Sequence, residues 1–238
     1  MRILVVGSCG KSKLKTILNA PTCSDIDSKD AITKWRKQLS RYLTPAREMY
    51  TGYQSTELLR GVESLRTIDQ VEVRLLILSA GFGLLEEKEL VPPYECSFSK
   101  MRKNRIRERS SLLRIEEDYR KLHKTEFDLT YLALGEKYLT ALGDDFLSYT
   151  RGTTVMFDDY RMKERVVYVP SSSKAVRAFS EHGFKIHGVV GFKGDLLRIL
   201  AEYALEQDNQ YGEVVAWTEP SYLEELVYSL GGVRVSPP

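Results

Sequence analysis

The sequence predicts an α/β protein with a mostly parallel central sheet, flanked by helices and carrying helical insertions. Three observations support this. Wholly apolar runs, ILVV at 3–6 and LLIL at 75–78, have the composition of strands buried on both faces. Segments of helical period separate such runs, as parallel strands require of their crossovers. The alternation also continues across residue 150 without a linker, so residues 1–238 are expected to form a single α/β domain.

The first strand, residues 2–7, leaves through Ser8-Cys9-Gly10-Lys11-Ser12-Lys13. This loop is small, polar and basic, suited to holding an anion with backbone N–H groups and two ammonium groups. It lacks the spacing of a phosphate-binding Walker loop, which removes most support for nucleotide hydrolysis. Residues 15–30 read as a loop or insertion, and Ala31 to Tyr42 as a helix. Trp35, Leu39 and Tyr42 have the spacing of a core-facing stripe, although Trp35 among basic residues would also suit base stacking. Thr44 and Pro45 start another helix, which presents Arg47 and Tyr50 one turn apart, and a further helix spans 55–66.

The strand at 75–78 stops at Ser79-Ala80-Gly81-Phe82-Gly83. In a parallel sheet, ligands gather at the carboxyl ends of strands, so this turn is a candidate binding edge. Pro92 and Pro93 stiffen the return segment and place the Tyr94 phenol and Glu95 carboxylate near the turn. A buried strand followed by an ordinary tight loop would have the same punctuation.

From Lys100 to Lys124 there are ten Lys or Arg against four Asp or Glu, in a helical pattern. The acids lie mostly in the later half, where they self-pair at helical spacing. Lys100, Arg102, Lys103, Arg105 and Arg107 form a stripe suited to a phosphate backbone. Next come a strand at 127–134, the junction Gly135, a helix at 136–147 and a strand at 153–157. Asp158 and Asp159 follow, as an acid–base pair or as caps. The last third reads as a strand at 165–169, a helix at 174–182, a strand at 185–190 and a long helix from Gly191 to about Gln207. A helix at 219–230 and a strand at 233–235 end the chain.

A net charge of +2 is almost balanced, so the distribution of charge is more informative than its sum. No apolar run reaches the ~20 residues of a membrane span, and MRILVVGSCG is too short in apolar residues for a signal peptide. Cys9, Cys23 and Cys96 are odd in number and widely spaced, which argues against disulfides and for a reducing, cytoplasmic setting. The cysteines and three histidines have no metal-ligand spacing, so neither metal nor other cofactor is expected.

Four strings together, SCGKSK, PAREMYTG, LILSAGFGLL and PPY, resemble a bacterial nucleobase-processing family over about residues 3–150. Its pattern is a C-x-K-x-K loop, a P-A-x-x-L-Y-[ST] helix start and an S-A-x-[YF]-G-L-L turn. The family is distantly similar to YaaA stress proteins, archaeosine synthase and the uracil-DNA glycosylase superfamily. The resemblance implies a uracil-DNA-glycosylase-like core at 1–150, with 151–238 as an α/β extension. It also implies nucleobase chemistry on a nucleic acid; DNA is the expected partner, and neither a membrane nor an obligate protein partner is expected. A narrower likeness, to antiphage DNA glycosylases that excise α-glucosylated hydroxymethylcytosine, implies hydrolysis of an N-glycosidic bond after base flipping, leaving an abasic site. Two departures stand out. The segment between Lys13 and Pro45 is longer than in compact members, and Gly81 replaces a larger side chain, implying a roomier pocket.

On this expectation Glu95 is the first catalytic candidate and Asp158 the second, either one supporting the oxocarbenium-like sugar or activating water. Lys11 is the candidate for a Schiff-base route. Phe82 would receive the base; Ser8, Cys9, Ser79, Gly81, Gly83 and Gly135 would line the pocket; Lys13, Arg47, Tyr50 and Tyr94 would complete it. Two other readings remain: a transferase acting on 7-deazaguanine bases, which shares the pocket but needs a second substrate, and a non-catalytic DNA-binding stress protein, which needs only the basic helix.

Overall fold

A computed structural model describes residues 1–157 and 164–232. Its elements run β1 (Arg2–Ser8), α1 (Lys29–Gln38), β2 (Thr44–Pro45), α2 (Ala46–Met49), α3 (Tyr53–Leu65), β3 (Glu72–Ser79), β4 (Gly83–Glu86) and β5 (Leu90–Val91). There follow α4 (Lys103–Leu113), α5 (Ile115–Leu122), β6 (Leu129–Ala133), α6 (Glu136–Ala141), β7 (Thr153–Met156) and β8 (Val166–Tyr168). Four helices close the described chain: α7 (Ser173–Glu181), α8 (Gly188–Leu205), α9 (Gln210–Ala216) and α10 (Pro220–Gly231).

The six-stranded sheet has the order β4-β3-β1-β6-β7-β8, and β2 with β5 forms a separate two-stranded ribbon. All pairings in the large sheet are parallel except β3 with β4, the hairpin that the SAGFG turn closes. Strands β7 and β8, both beyond residue 150, extend the same sheet.

Alternate residues of β1 supply two cores. Ile3 and Val5 join Leu58, Val62, Phe192, Leu196 and Trp217 on one face. Leu4 and Val6 join Tyr94, Phe98, Ile106, Tyr119 and Leu139 on the other. Both faces of β1 are buried, which is why its sequence is continuously apolar instead of alternating. On the first face α3 and α8 pack tightly. A Cβ on Gly194 would lie 2.3 Å from the Gln54 carbonyl oxygen, and one on Gly61 would lie 2.9 Å from the Arg198 nitrogen. Residue 194 meets 54 and residue 198 meets 61, so the two helices run parallel and both begin at one edge of the sheet.

Several sequence expectations are corrected. Residues 185–190 form no strand: the backbone turns at Gly188, φ +75°, and Val189 and Val190 enter the first turn of α8. A short apolar run fits either structure, and here the helix prevails. The basic segment is two helices, broken at Arg114 in the left-handed conformation. The helix after Gly135 ends at Ala141, with Gly143 at φ +97° shortly beyond it. The expected strand at 233–235 and the candidate Asp158 lie outside the described residues. Among those described, no helix is long and apolar enough to cross a membrane.

Candidate functional site

Register places Ser8 opposite Leu78 and Gly7 opposite Ala133, so the loops after β1, β3 and β6 leave the sheet at one edge. The loop after β1 is pinned there by the backbone. Cys9 N–H donates to Leu78 O at 3.0 Å, Leu14 N–H to Met49 O at 2.9 Å, and Thr51 N–H to Ser12 O at 3.1 Å.

Beneath this edge lies a buried chain of hydroxyls. Ser79 Oγ accepts from the N–H groups of Gly81 at 3.1 Å and Phe82 at 3.0 Å, and lies 2.7 Å from the Tyr94 hydroxyl. Both Ser79 lone pairs are then occupied, so its own proton is donated to Tyr94. Tyr94 in turn donates to Tyr50 at 2.8 Å. Burial, and next the nearby Cys9, hold both phenols well above the usual tyrosine range, so both stay neutral.

Ser79 and Tyr94 are fully buried and Tyr50 nearly so. This corrects the expected role of Ser79 and Tyr94, which have no surface left for a ligand and instead hold the turn, while Tyr50 borders only a small void. Gly81 is corrected too, because a Cβ there would lie 2.7 Å from Tyr94 Cε2, so the Tyr94 ring fills the space that was expected to enlarge a pocket. Phe82 is half-buried, with the Tyr94 ring edge-on at 5.0 Å and the Arg36 guanidinium 5.3 Å from its centre. Gly83 begins β4 at φ +88°, and Gly135 precedes α6, where its carbonyl accepts from Tyr138 N–H at 2.8 Å. Cys9 is buried with its sulfur 3.2 Å from the Tyr138 hydroxyl. Ser8 accepts from Gln54 Nε2 at 3.2 Å, and Arg47 lies in a small void beside Ser8, Tyr50 and Gln54.

Above these residues opens a cleft of about 530 Å³, to which Lys11, Lys13, Glu95, Lys100 and Arg105 contribute side chains among its lining residues. Lys13 Nζ lies 4.7 Å from the centre of the Tyr94 ring. Glu95 is exposed, and among the described residues no hydrogen bond or ion pair to its carboxylate is recorded. Its backbone is fixed: its N–H donates to Pro21 O at 2.8 Å, and it forms a parallel bridge with Thr22. Beside it, Cys96 is joined to Cys23 in a disulfide that spans 73 positions of sequence. The disulfide corrects the reading of the cysteines, because distant residues meet through the insertion's fold and not through a spacing rule. It also removes the support that the cysteine count gave to a reducing compartment.

Arg109 was not expected at the site, yet it ties the insertion down. Its buried guanidinium donates to Ala80 O, to Cys23 O at 3.1 Å and to Ile26 O at 3.1 Å. The signal was present in the sequence, since Arg109 lies three residues after Ile106 on the inward face of α4. The basic stripe divides. Lys100 and Arg105 line the cleft, Arg105 while pairing with Glu108 at 2.9 Å; Lys103 and Arg107 pair with Asp144, and Arg102 precedes α4.

Another cluster lies at the starts of α3 and α8, where ligand atoms of Glu57, His187 and Asp195 lie within 4.8 Å of one another. Their oxygens are already engaged. Glu57 pairs with Arg60 at 2.8 Å and Arg198 at 2.7 Å, and Asp195 accepts from His187 N–H at 2.8 Å and pairs with its Nδ1 at 2.7 Å. Ion pairs at Glu57 and hydrogen bonds at Asp195 thus occupy the oxygens that a cation would need.

No curated protein matches the chain. Residues 35–169 match a family described as of unknown function, DUF6884, a stretch that contains Glu95, Lys100 and Arg105 but not the loop after β1. Because the match covers more than half of the sequence, the chain belongs to the DUF6884 family.

Proposed function

We propose that the protein is a DNA glycosylase that hydrolyses the N-glycosidic bond of a modified base, with Glu95 as the catalytic carboxylate. The observation carrying this reading is the makeup of the cleft, where one carboxylate on a fixed backbone stands among Lys11, Lys13, Lys100 and Arg105. A volume of about 530 Å³ falls in the range of small-ligand sites and suits one extruded nucleotide. The cations neutralise phosphates on either side of it. Glu95 accepts a proton from water as the oxygen bonds to the sugar C1′. The C1′–N bond breaks, its electrons leave with the base, and the base takes a proton from solvent. The same carboxylate stabilises positive charge that develops on the sugar ring.

The resemblance read from the sequence supplies the substrate class, glucosylated hydroxymethylcytosine in DNA. The test incubates the protein with oligonucleotides bearing this base or unmodified cytosine, and measures alkali-labile abasic sites. Base release from the modified strand alone is expected. No release from any modified DNA, with binding retained, would leave a non-catalytic DNA-binding protein.

A further inference from the structure

We propose that Tyr53 is a stacking platform for one base of a single-stranded nucleic acid, which leaves the basic cleft across the first turn of α3. This rests on the nucleic-acid part of the reading above, though not on base excision. Tyr53 is 65% exposed. Its ring lies nearly parallel to the His187 imidazole, with centroids 4.3 Å apart and planes 17° apart. His187 is held in place, because its Nδ1 pairs with Asp195 Oδ1 at 2.7 Å and its backbone N–H donates to Asp195 Oδ2 at 2.8 Å. Asp195 itself is fully buried. A Cβ on Gly191 would lie 2.8 Å from His187 Cβ, so the first turn of α8 also packs against the base of the His187 side chain.

One face of Tyr53 is therefore backed by a fixed ring. A side chain 65% exposed with one face covered turns the other to solvent. An aromatic face already held in place loses little side-chain freedom when a base stacks on it, and every base has a face to offer. A lone exposed tyrosine is common on protein surfaces, so position decides. Gly10 lines the cleft, and its Cβ position is 3.9 Å from Ser55 Oγ, two residues beyond Tyr53. Between them Gln54 donates to Ser8 Oγ at 3.2 Å and to Ala133 O at 2.7 Å, which fixes the start of α3 to the ends of β1 and β6. The cations of the cleft and the open ring thus share one edge of the sheet, phosphate contacts beside a stacking surface, as single-strand binding requires.

The test measures binding of a fluorescent oligothymidylate of about twelve nucleotides to the parent protein and to Tyr53→Ala, Tyr53→Phe and Lys11→Ala. Circular dichroism and thermal unfolding serve as controls for folding. Tyr53→Ala is expected to weaken binding about tenfold with an unchanged salt slope, Tyr53→Phe to bind like the parent, and Lys11→Ala to lower the slope. Photo-crosslinking through 5-iodouracil should map to Tyr53. Parental affinity in Tyr53→Ala alongside weakened binding in Lys11→Ala would overturn the platform and leave the nucleic-acid reading intact. Absence of oligonucleotide binding by the parent would overturn the platform. Loss of binding in Tyr53→Ala without base release by the parent would support the platform and remove the glycosylase.

Discussion

The Cβ that Gly81 lacks would lie 2.7 Å from Cε2 of Tyr94, a ring that is fully buried and hydrogen-bonded at its hydroxyl to both Ser79 and Tyr50. Neither partner has room to yield. Gly81→Ala is expected to destabilise the fold by about 1–3 kcal/mol through overpacking, measured by urea unfolding. Tyr94→Phe keeps the ring but removes the hydroxyl between Ser79 and Tyr50, and should cost about 1 kcal/mol.

The Cys23–Cys96 disulfide closes a long loop and fastens the insertion beside Glu95. Cys23→Ser with Cys96→Ser is expected to lower unfolding free energy by about 2–4 kcal/mol. Reductant should lower the parent's stability toward that of the double variant while leaving the variant unchanged. Equal stability of parent and variant under oxidising conditions would contradict the tether.

His123 is buried, its Nε2 has no hydrogen-bond partner among the described residues, and burial pushes its pKa down to about 4. Between that value and the ordinary 6.5 the unfolded chain binds the additional proton. The contribution is therefore fully present above about pH 6.5 and is lost as pH falls toward 4. His123→Leu should flatten the pH dependence. From pH 7 to pH 5 its stability relative to the parent should improve by on the order of 1 kcal/mol.

Lys100 and Arg105 enter the cleft from one segment, whereas Lys103 and Arg107 are drawn to Asp144. Alanine at Lys100 should reduce the salt slope of DNA binding by about 1, and alanine at Arg105, which pairs with Glu108 at 2.9 Å, or at Lys103 by less. Equal effects at all three would show that the Glu108 and Asp144 pairs yield to DNA.

The sheet was legible because its central strands are buried on both faces and therefore continuously apolar. The SAGFG turn was legible as a feature of the carboxyl edge, but its role was not. Whether Tyr94 faces a ligand or the interior depends on the partner that fills the space over Gly81, and that partner is Tyr94 itself. The disulfide was hidden because residues 15–30 lack periodicity, so nothing in the chain places Cys23 beside Cys96. Arg109 followed the helical stripe of Ile106 but looked like one more cation of a solvated face. The Tyr53–His187 contact joins positions 53 and 187 through the packing of α3 on α8, which no local pattern encodes.

The proposed glycosylase activity depends on the Glu95 carboxylate in the cleft. Single-turnover base release from glucosylated-hydroxymethylcytosine DNA, compared between the parent and Glu95→Gln at equal DNA occupancy, tests it most directly. A rate lowered about 10²- to 10⁴-fold is expected, with DNA affinity unchanged or slightly raised. Parental rates of base release in Glu95→Gln would contradict it.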